Sequence, residues 1–204
     1  GSLLGVYRAA EDSNTFGGVP YVFGTEEQKL HASAEASWQN RYITSAGIVA
    51  TPYLGVRLDA ASLEGTPADA TLLTATPVAA IDMRYPMIAI DGLDTHLFEP
   101  IAQLAYRGSN ETLVGLTNDN AHSFVLDDTN LFSYNRFSGT DRQETGLRAN
   151  LGGRYLANFS NGAWLELMAG QSFHLAGSNP YATSDEVNVA SGSGPETDAS
   201  YVGL

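Results

Sequence analysis

The sequence predicts an all-β chain, an antiparallel up-and-down meander forming part of a large transmembrane β-barrel, with about eight strands in these 204 residues. Three observations predict it. Apolar and polar residues alternate with period two over long runs, and the connections between the runs alternate between short and long. Only 16% of the residues are charged, below the roughly 25% usual for a soluble domain.

The runs follow one another along the chain. Residues 30–38 place Leu30, Ala32, Ala34, Ala36 and Trp38 on one side and His31, Ser33, Glu35 and Ser37 on the other, a strand with one apolar face. From 46 to 58 the even positions are apolar, while the odd positions lead to Arg57 and Asp59. Between 77 and 89 Ala79, Ile81, Met83, Tyr85 and Met87 oppose Asp82 and Arg84. From 96 to 106 Phe98, Ala102, Leu104 and Tyr106 oppose Glu99 and Gln103. The clearest run, 143–157, sets Leu147, Ala149, Leu151, Tyr155 and Ala157 against Glu144, Arg148, Asn150 and Arg154. After a turn composition ending in Asn161-Gly162, Leu165, Leu167, Ala169 and Phe173 alternate with Trp164, Glu166, Ser172 and His174, so the last two runs predict a hairpin. Pro52, Pro77, Pro86 and Pro100 fall in or beside these runs, remove ladder donors and predict bends or weak pairing. Gly152-Gly153 predicts a bulge, a bend or a close backbone approach.

The segments 39–42, 91–94 and 158–162 read as tight turns, and 10–27, 59–76, 108–142 and 175–197 as long loops rich in Gly, Ser, Thr, Asn and Asp. A soluble sandwich has no reason to sort its loops by side. Transmembrane barrels do, with short turns at one end, longer loops at the other, and strands of roughly 9 to 11 residues crossing the apolar layer. Periodicity alone fits a solvated sheet face nearly as well; loop sorting and low charge decide for the membrane. The polar face then lines a wet lumen, with Asp82, Arg84, Glu99, Glu144, Arg148, Asn150, Arg154 and Glu166 as lumen-facing candidates. Residues 1–204 are expected to form one partial barrel domain.

Composition excludes several functions. The formal charge is −13, and the ten basic residues, nine Arg and Lys29, are scattered. That argues against nucleic acid, whose binders need a basic face. The absence of cysteine removes disulfides, thiolate zinc sites and Cys nucleophiles. No run approaches a membrane helix, and nothing near the start has the pattern of a signal peptide. Gly1-Ser2 reads as a cloning scar and Leu204 interrupts an apolar stretch, so the chain is expected to be a piece of a longer protein. His31, His96, His122 and His174 lack metal-motif spacing and read as surface or lumen residues. Asp127, Asp128 and Asp141 read as turn formers in a polar loop. No G-x-S-x-G elbow is present. Catalytic, cofactor-binding and metal residues are therefore not expected.

The passage Asp127-Asp128-Thr129-Asn130-Leu131-Phe132-Ser133-Tyr134-Asn135-Arg136-Phe137-Ser138-Gly139-Thr140-Asp141-Arg142-Gln143-Glu144-Thr145-Gly146 resembles the LptD family, the lipopolysaccharide-assembly (organic-solvent-tolerance) proteins of the Gram-negative outer membrane. Pro77 to Pro86 and His96 to Leu104 look like the preceding strands of that family, and Ala169 to Phe173 like the strand that follows. The resemblance implies a non-enzymatic translocon without cofactors. Its parts would be a large closed barrel, an LptE-type plug lipoprotein and a periplasmic jellyroll joined to a protein bridge from the inner membrane. Lipopolysaccharide would pass through a lateral opening to the outer leaflet. Carried onto this sequence, the family motif falls on Asp128, Asn130, Phe132, Arg136, Gly139, Asp141, Arg142 and Gly146, read as a structural loop. The chain departs from the family pattern in lacking the jellyroll, the cysteines and most of the barrel, and about eight strands are too few for such a wall. Arg142 beside Asp141, with Arg136 nearby, is expected to form an ion-pair network that orders 108–142. Two other classes compete: a soluble all-β glycan-binding module, and an outer-membrane hydrolase.

Overall fold

Alternating sequence becomes extended strand because period-two side chains put every apolar group on one face of a pleated sheet. The computed structural model describes residues 1–8, 12–16, 19–24, 27–64, 70–108, 123–124, 130–136, 143–177, 188–189 and 199–203. Its strands are β1 (Ser2–Arg8), β2 (Asp12–Phe16), β3 (Val19–Gly24), β4 (Glu27–Gln39), β5 (Tyr42–Ile43), β6 (Val49–Glu64) and β7 (Ala70–Arg84). They continue with β8 (Met87–Asp91), β9 (Asp94–Arg107), β10 (Ser123–Phe124), β11 (Gly146–Asn158), β12 (Trp164–Ala176), β13 (Asn188–Val189) and β14 (Ala199–Gly203).

The main sheet runs β1-β4-β6-β7-β9-β11-β12-β14, with β5 beside β6 and β8 beside β9. Every pairing in it is antiparallel, as an up-and-down meander requires. The sheet is not closed: β1 and β14 are its two ends. The strands β4, β6, β7, β9, β11 and β12 have 13 to 16 residues, more than the roughly 9 to 11 a tilted barrel strand needs to cross the apolar layer.

The short connections are hairpins. Gly92, in the two-residue link from β8 to β9, has φ 61°, and Gly162, in the β11–β12 turn, has φ 84°, backbone that glycine adopts without penalty. The first turn lies elsewhere than expected. Residues 39–42 are not the turn: Tyr42 and Ile43 pair with Ala50 and Val49, and the chain reverses over Thr44 to Gly47. The ladder between β4 and β5 breaks opposite Pro52, which has no N–H to donate. A similar break divides the run 77–89 into β7 and β8, with Tyr85 and Pro86 lying opposite Glu99 and Pro100.

The long connections are also shorter than expected in one place. Residues 59–64 and 70–76 are strand rather than loop. Of the Asp and Thr residues that gave 59–76 a loop composition, Asp59, Thr74 and Thr76 share the polar face, and Asp59 and Thr76 are fully buried. Within 10–27, β2 and β3 form a hairpin of their own. The two-residue strands β10 and β13 pair parallel and tie the segment 108–142 to 175–197.

The two faces of the sheet reverse the usual order. Leu54, Val56, Leu58, Met83, Phe98, Leu104, Tyr106, Leu151, Leu165 and Leu167 are exposed, whereas Arg57, Asp59, Asp82, Gln103, Arg107, Arg148 and Asn150 are buried. A soluble monomer rarely exposes a contiguous apolar patch beyond a few hundred Å². A barrel wall is built this way, apolar toward lipid and polar within.

Candidate functional site

The inner face is a network of paired charges covered by a strap. On β6, Arg57 and Asp59 lie two residues apart and so share a face; Arg57 Nε donates to Asp59 Oδ2 at 2.9 Å and Nη2 to Oδ1 at 2.8 Å. His31 on β4 brings Nε2 to within 2.9 Å of the same Oδ1. Gln143 Nε2 donates to Asp59 Oδ2 at 3.3 Å, and Arg107 on β9 donates to the Gln143 side-chain oxygen. The same i, i+2 logic joins Asp82 and Arg84 on β7 at 2.8 Å, and Arg84 reaches Glu99 at 3.7 Å. Tyr53 on β6 donates its hydroxyl to Glu35 at 2.7 Å.

Residues 130–136 lie against this face. Ser133 N–H closes a turn onto the Asn130 carbonyl at 2.9 Å, and the Ser133 hydroxyl donates to the Asn135 carbonyl at 2.7 Å, so the strap is locally preshaped. Gln103 on β9 donates to the Phe132 carbonyl at 2.7 Å while accepting from Asn150 on β11 at 2.7 Å. Arg148 donates to the Ser133 carbonyl at 2.5 Å. The Tyr134 ring packs on Tyr53 with centroids 4.4 Å apart. Backbone carbonyls of an irregular segment thus receive side-chain donors from the wall, as a non-repetitive stretch inside a barrel requires.

Glu144 anchors the end of the strap. Arg136 donates Nε to Glu144 Oε2 at 2.8 Å, Arg148 pairs with the same carboxylate, and the Glu144 N–H donates to Asn135 Oδ1 at 3.1 Å. Burial alone raises a carboxyl's pKa, but Arg148 and Arg136 outweigh it and hold Glu144 below the usual carboxylate range. Burial, and then the Asp82 carboxylate, raise the Tyr134 hydroxyl above its ordinary value.

Two glycines make room for the strap. Gly152 on β11 and Gly170 on β12 are register partners, and the Leu131 side chain, fully buried, sits over them with Phe132. A Cβ at Gly170 would collide with Leu131 Cδ2 and come within 2.9 Å of the Leu151 carbonyl oxygen; one at Gly152 would come within 2.6 Å of the Ala169 carbonyl oxygen on β12 and meet Phe132 Cζ of the strap at 3.1 Å. Of the pair Gly152-Gly153, the first is therefore the close approach, and Gly153 has only ordinary contact with Phe98.

Asp82, Arg84, Glu99, Arg148, Asn150, Arg154 and Glu166 all sit on the polar face of the sheet, and Glu144 on the approach to β11 under the strap. They are not one cluster. Arg154 and Glu166 pair at 2.6 Å near the short-turn end, 36% and 40% exposed, apart from the strap. Asn130, Phe132 and Arg136 belong to the strap, and Gly146 opens β11 with φ 92°. Asp128, Gly139, Asp141 and Arg142 lie outside the described residues, as does the expected Asp141–Arg142 pairing; Arg136 takes Glu144 as its partner. The site also includes His31, Arg57, Asp59, Gln103, Arg107, Gln143 and Leu131, which were not among the lumen candidates. Their inward parity was readable from the same alternation for those on strands.

Among the described residues no group of three or more His, Asp or Glu is placed to hold a metal ion. A search of curated proteins finds no match to the chain. A family model described as LptD, LPS transport system D, matches residues 7–202. Matched over nearly its whole length, and built as an antiparallel sheet with an apolar outside and a polar inside, the chain belongs to the LptD family, which serves lipopolysaccharide transport and assembly at the Gram-negative outer membrane.

Proposed function

We propose that this chain is a length of the wall of the translocon that inserts lipopolysaccharide into the outer leaflet, and that it acts without catalysing a reaction. The observation that carries this reading is the inverted sheet: exposed apolar positions on one side, and on the other a buried, charge-paired face strapped by residues 130–136. Such a face offers a polar route its donors and acceptors while the outward face stays in lipid. An LptE-type plug and a periplasmic bridge reaching the barrel through an N-terminal jellyroll are the partners this role requires. The residues 1–204 would then be one partial barrel domain in the outer membrane.

The test is site-specific photocrosslinking in the full-length parent folded in detergent. Probes at the open inward positions Arg154 and Glu166 are expected to capture lipopolysaccharide or the plug lipoprotein, and probes at the outward positions Leu147 and Leu151 are not. Equal capture from both faces, or a parent that is soluble without detergent, would contradict the reading and favour a soluble binding module.

A further inference from the structure

β9 leaves the sheet at Arg107. The ladder between β7 and β9 ends with Val78 opposite Arg107, while among the described residues the part of β7 from Ala70 to Pro77 is paired with β6 alone. The sequence pins this branch. Pro77 has no N–H to donate, its carbonyl accepts from the Gly108 N–H at 2.9 Å, and a Cβ at Gly108 would come within 2.8 Å of Pro77 Cδ. Arg107 is thus the last inward side chain of β9.

Its side chain crosses β7. Arg107 Nη1 donates to the side-chain oxygen of Gln143, whose Nε2 donates to Asp59 Oδ2 on β6 at 3.3 Å, so the relay runs from β9 to β6 over the inner face of β7. The inward residues of β7 beneath it are Val78, opposite Arg107, and Thr76, opposite Arg57. They are 3% and 0% exposed, although the sheet is not closed. Two polar atoms enclosed here have no hydrogen-bond partner, Arg107 Nε and Thr76 Oγ1.

The charge of Arg107 has no counterion in contact. The residue is 4% exposed, and among the described residues it pairs with no carboxylate. Asp59 serves Arg57 and His31 and lies behind the Gln143 amide, Glu35 accepts from the Tyr53 hydroxyl, and Glu144 is held by Arg136 and Arg148. A buried lysine or carboxyl group relieves such a position by titrating, but a guanidinium keeps its proton. Arg57, across the ladder from Thr76, brings a second guanidinium-bearing side chain to the same row. A water molecule would bond to Nε and leave the charge as it was.

We propose that one small monovalent anion of the halide class, chloride being the common one, binds between Arg107 Nε and Thr76 Oγ1. It accepts from the Nε–H and from the threonine hydroxyl, supplies the counter-charge that Arg107 lacks, and through Gln143 steadies the face that receives the strap. Thr76 and Arg107 are diagonal neighbours on one face, a separation of roughly 7–8 Å that a long side chain spans. Burial selects for size: with Thr76, Val78 and Gln143 at most 5% exposed, a phosphate carried on a large headgroup could not enter without displacing them, whereas a single ion could. The inference does not depend on which face of the sheet meets lipid.

The experiment uses the full-length parent folded in detergent, with sodium bromide and sodium chloride as probes. Crystals grown in bromide should show an anomalous peak within hydrogen-bond distance of Arg107 Nε and Thr76 Oγ1. In solution, the urea midpoint at fixed ionic strength should rise as chloride replaces gluconate and then level off, as a ligand of the folded state requires. Thr76→Val, which keeps the shape and removes the hydroxyl, should raise the half-saturating chloride concentration by about tenfold, and Arg107→Gln, which removes the charge, should abolish the dependence. If Arg107→Gln does not fold, Thr76→Val and the bromide peak carry the test. No peak together with a flat midpoint overturns the proposal in favour of water. A bromide peak with a flat midpoint is an adventitious ion only and overturns it too, and an equal chloride response in the unaltered protein and the variants overturns it as a general salt effect.

Discussion

Two arginine–glutamate groupings, each with one arginine on β11, show how differently one chemistry behaves at the two ends of this wall. Near the long-loop end, Glu144 is held by Arg136 and Arg148, with all three side chains at most 5% exposed. Near the short-turn end, Arg154 and Glu166 pair at 2.6 Å with more than a third of each side chain in contact with solvent. A carboxylate deprived of water needs its cations, and those cations need it; an open pair exchanges easily with water and counterions. The buried grouping therefore holds the strap, while the open one covers little. The wall is covered at one end by polar pairing and left open to solvent at the other.

Variants that break this contrast should rank by burial. The largest effect is expected from Glu144→Ala, which leaves Arg136 and Arg148 without their shared carboxylate and should cost about 3–5 kcal/mol, read as a shift in the urea midpoint of the folded parent. Gly170→Ala comes next, at about 1–3 kcal/mol, because its methyl group overlaps Leu131 and the strap must lift. Adding Leu131→Ala should make the second cost smaller than in the single variant, since it removes the colliding atoms; a double-mutant cycle with no coupling would disprove the wedge. Arg154→Ala should change the midpoint least, by about 0–1 kcal/mol.

Acid sharpens the same comparison. The folded-state pKa of Glu144 lies below its unfolded value of about 4.3, so its contribution is complete above that value and disappears as pH falls through the lowered folded value. Protease resistance of 130–136 should hold at about pH 5 and fail only below about pH 4. Loss of resistance near neutrality would point to a different titrating group.

The alternation was enough to read the fold, because a sheet with one apolar face writes its period directly into the chain. Leu147 and Leu151 against Arg148 and Asn150 is legible without any structure. Loop boundaries were less legible, since Asp59 and Thr76 look like loop residues until a polar interior is allowed for. Pro52 hid the first turn in the same way, by breaking a ladder five residues from where the chain reverses at Gly47. The strap was the least legible part. Leu131 over Gly152 and Gly170 joins positions far apart in sequence, and no local period encodes which glycine a distant leucine will cover. Arg136 was expected beside Asp141 and Arg142, which lie outside the described residues; the partner seen, Glu144, is set by the fold rather than by neighbourhood in the chain.

The most direct measurement is hydrogen exchange across residues 130–136 in the folded full-length parent, comparing the unaltered protein with Glu144→Ala and Glu166→Ala. If the strap is held by the buried grouping, the unaltered protein and Glu166→Ala should show the same slow exchange and Glu144→Ala should lose it. Fast exchange in all three, or equal loss in both variants, would contradict a strap held to the inner wall through Glu144.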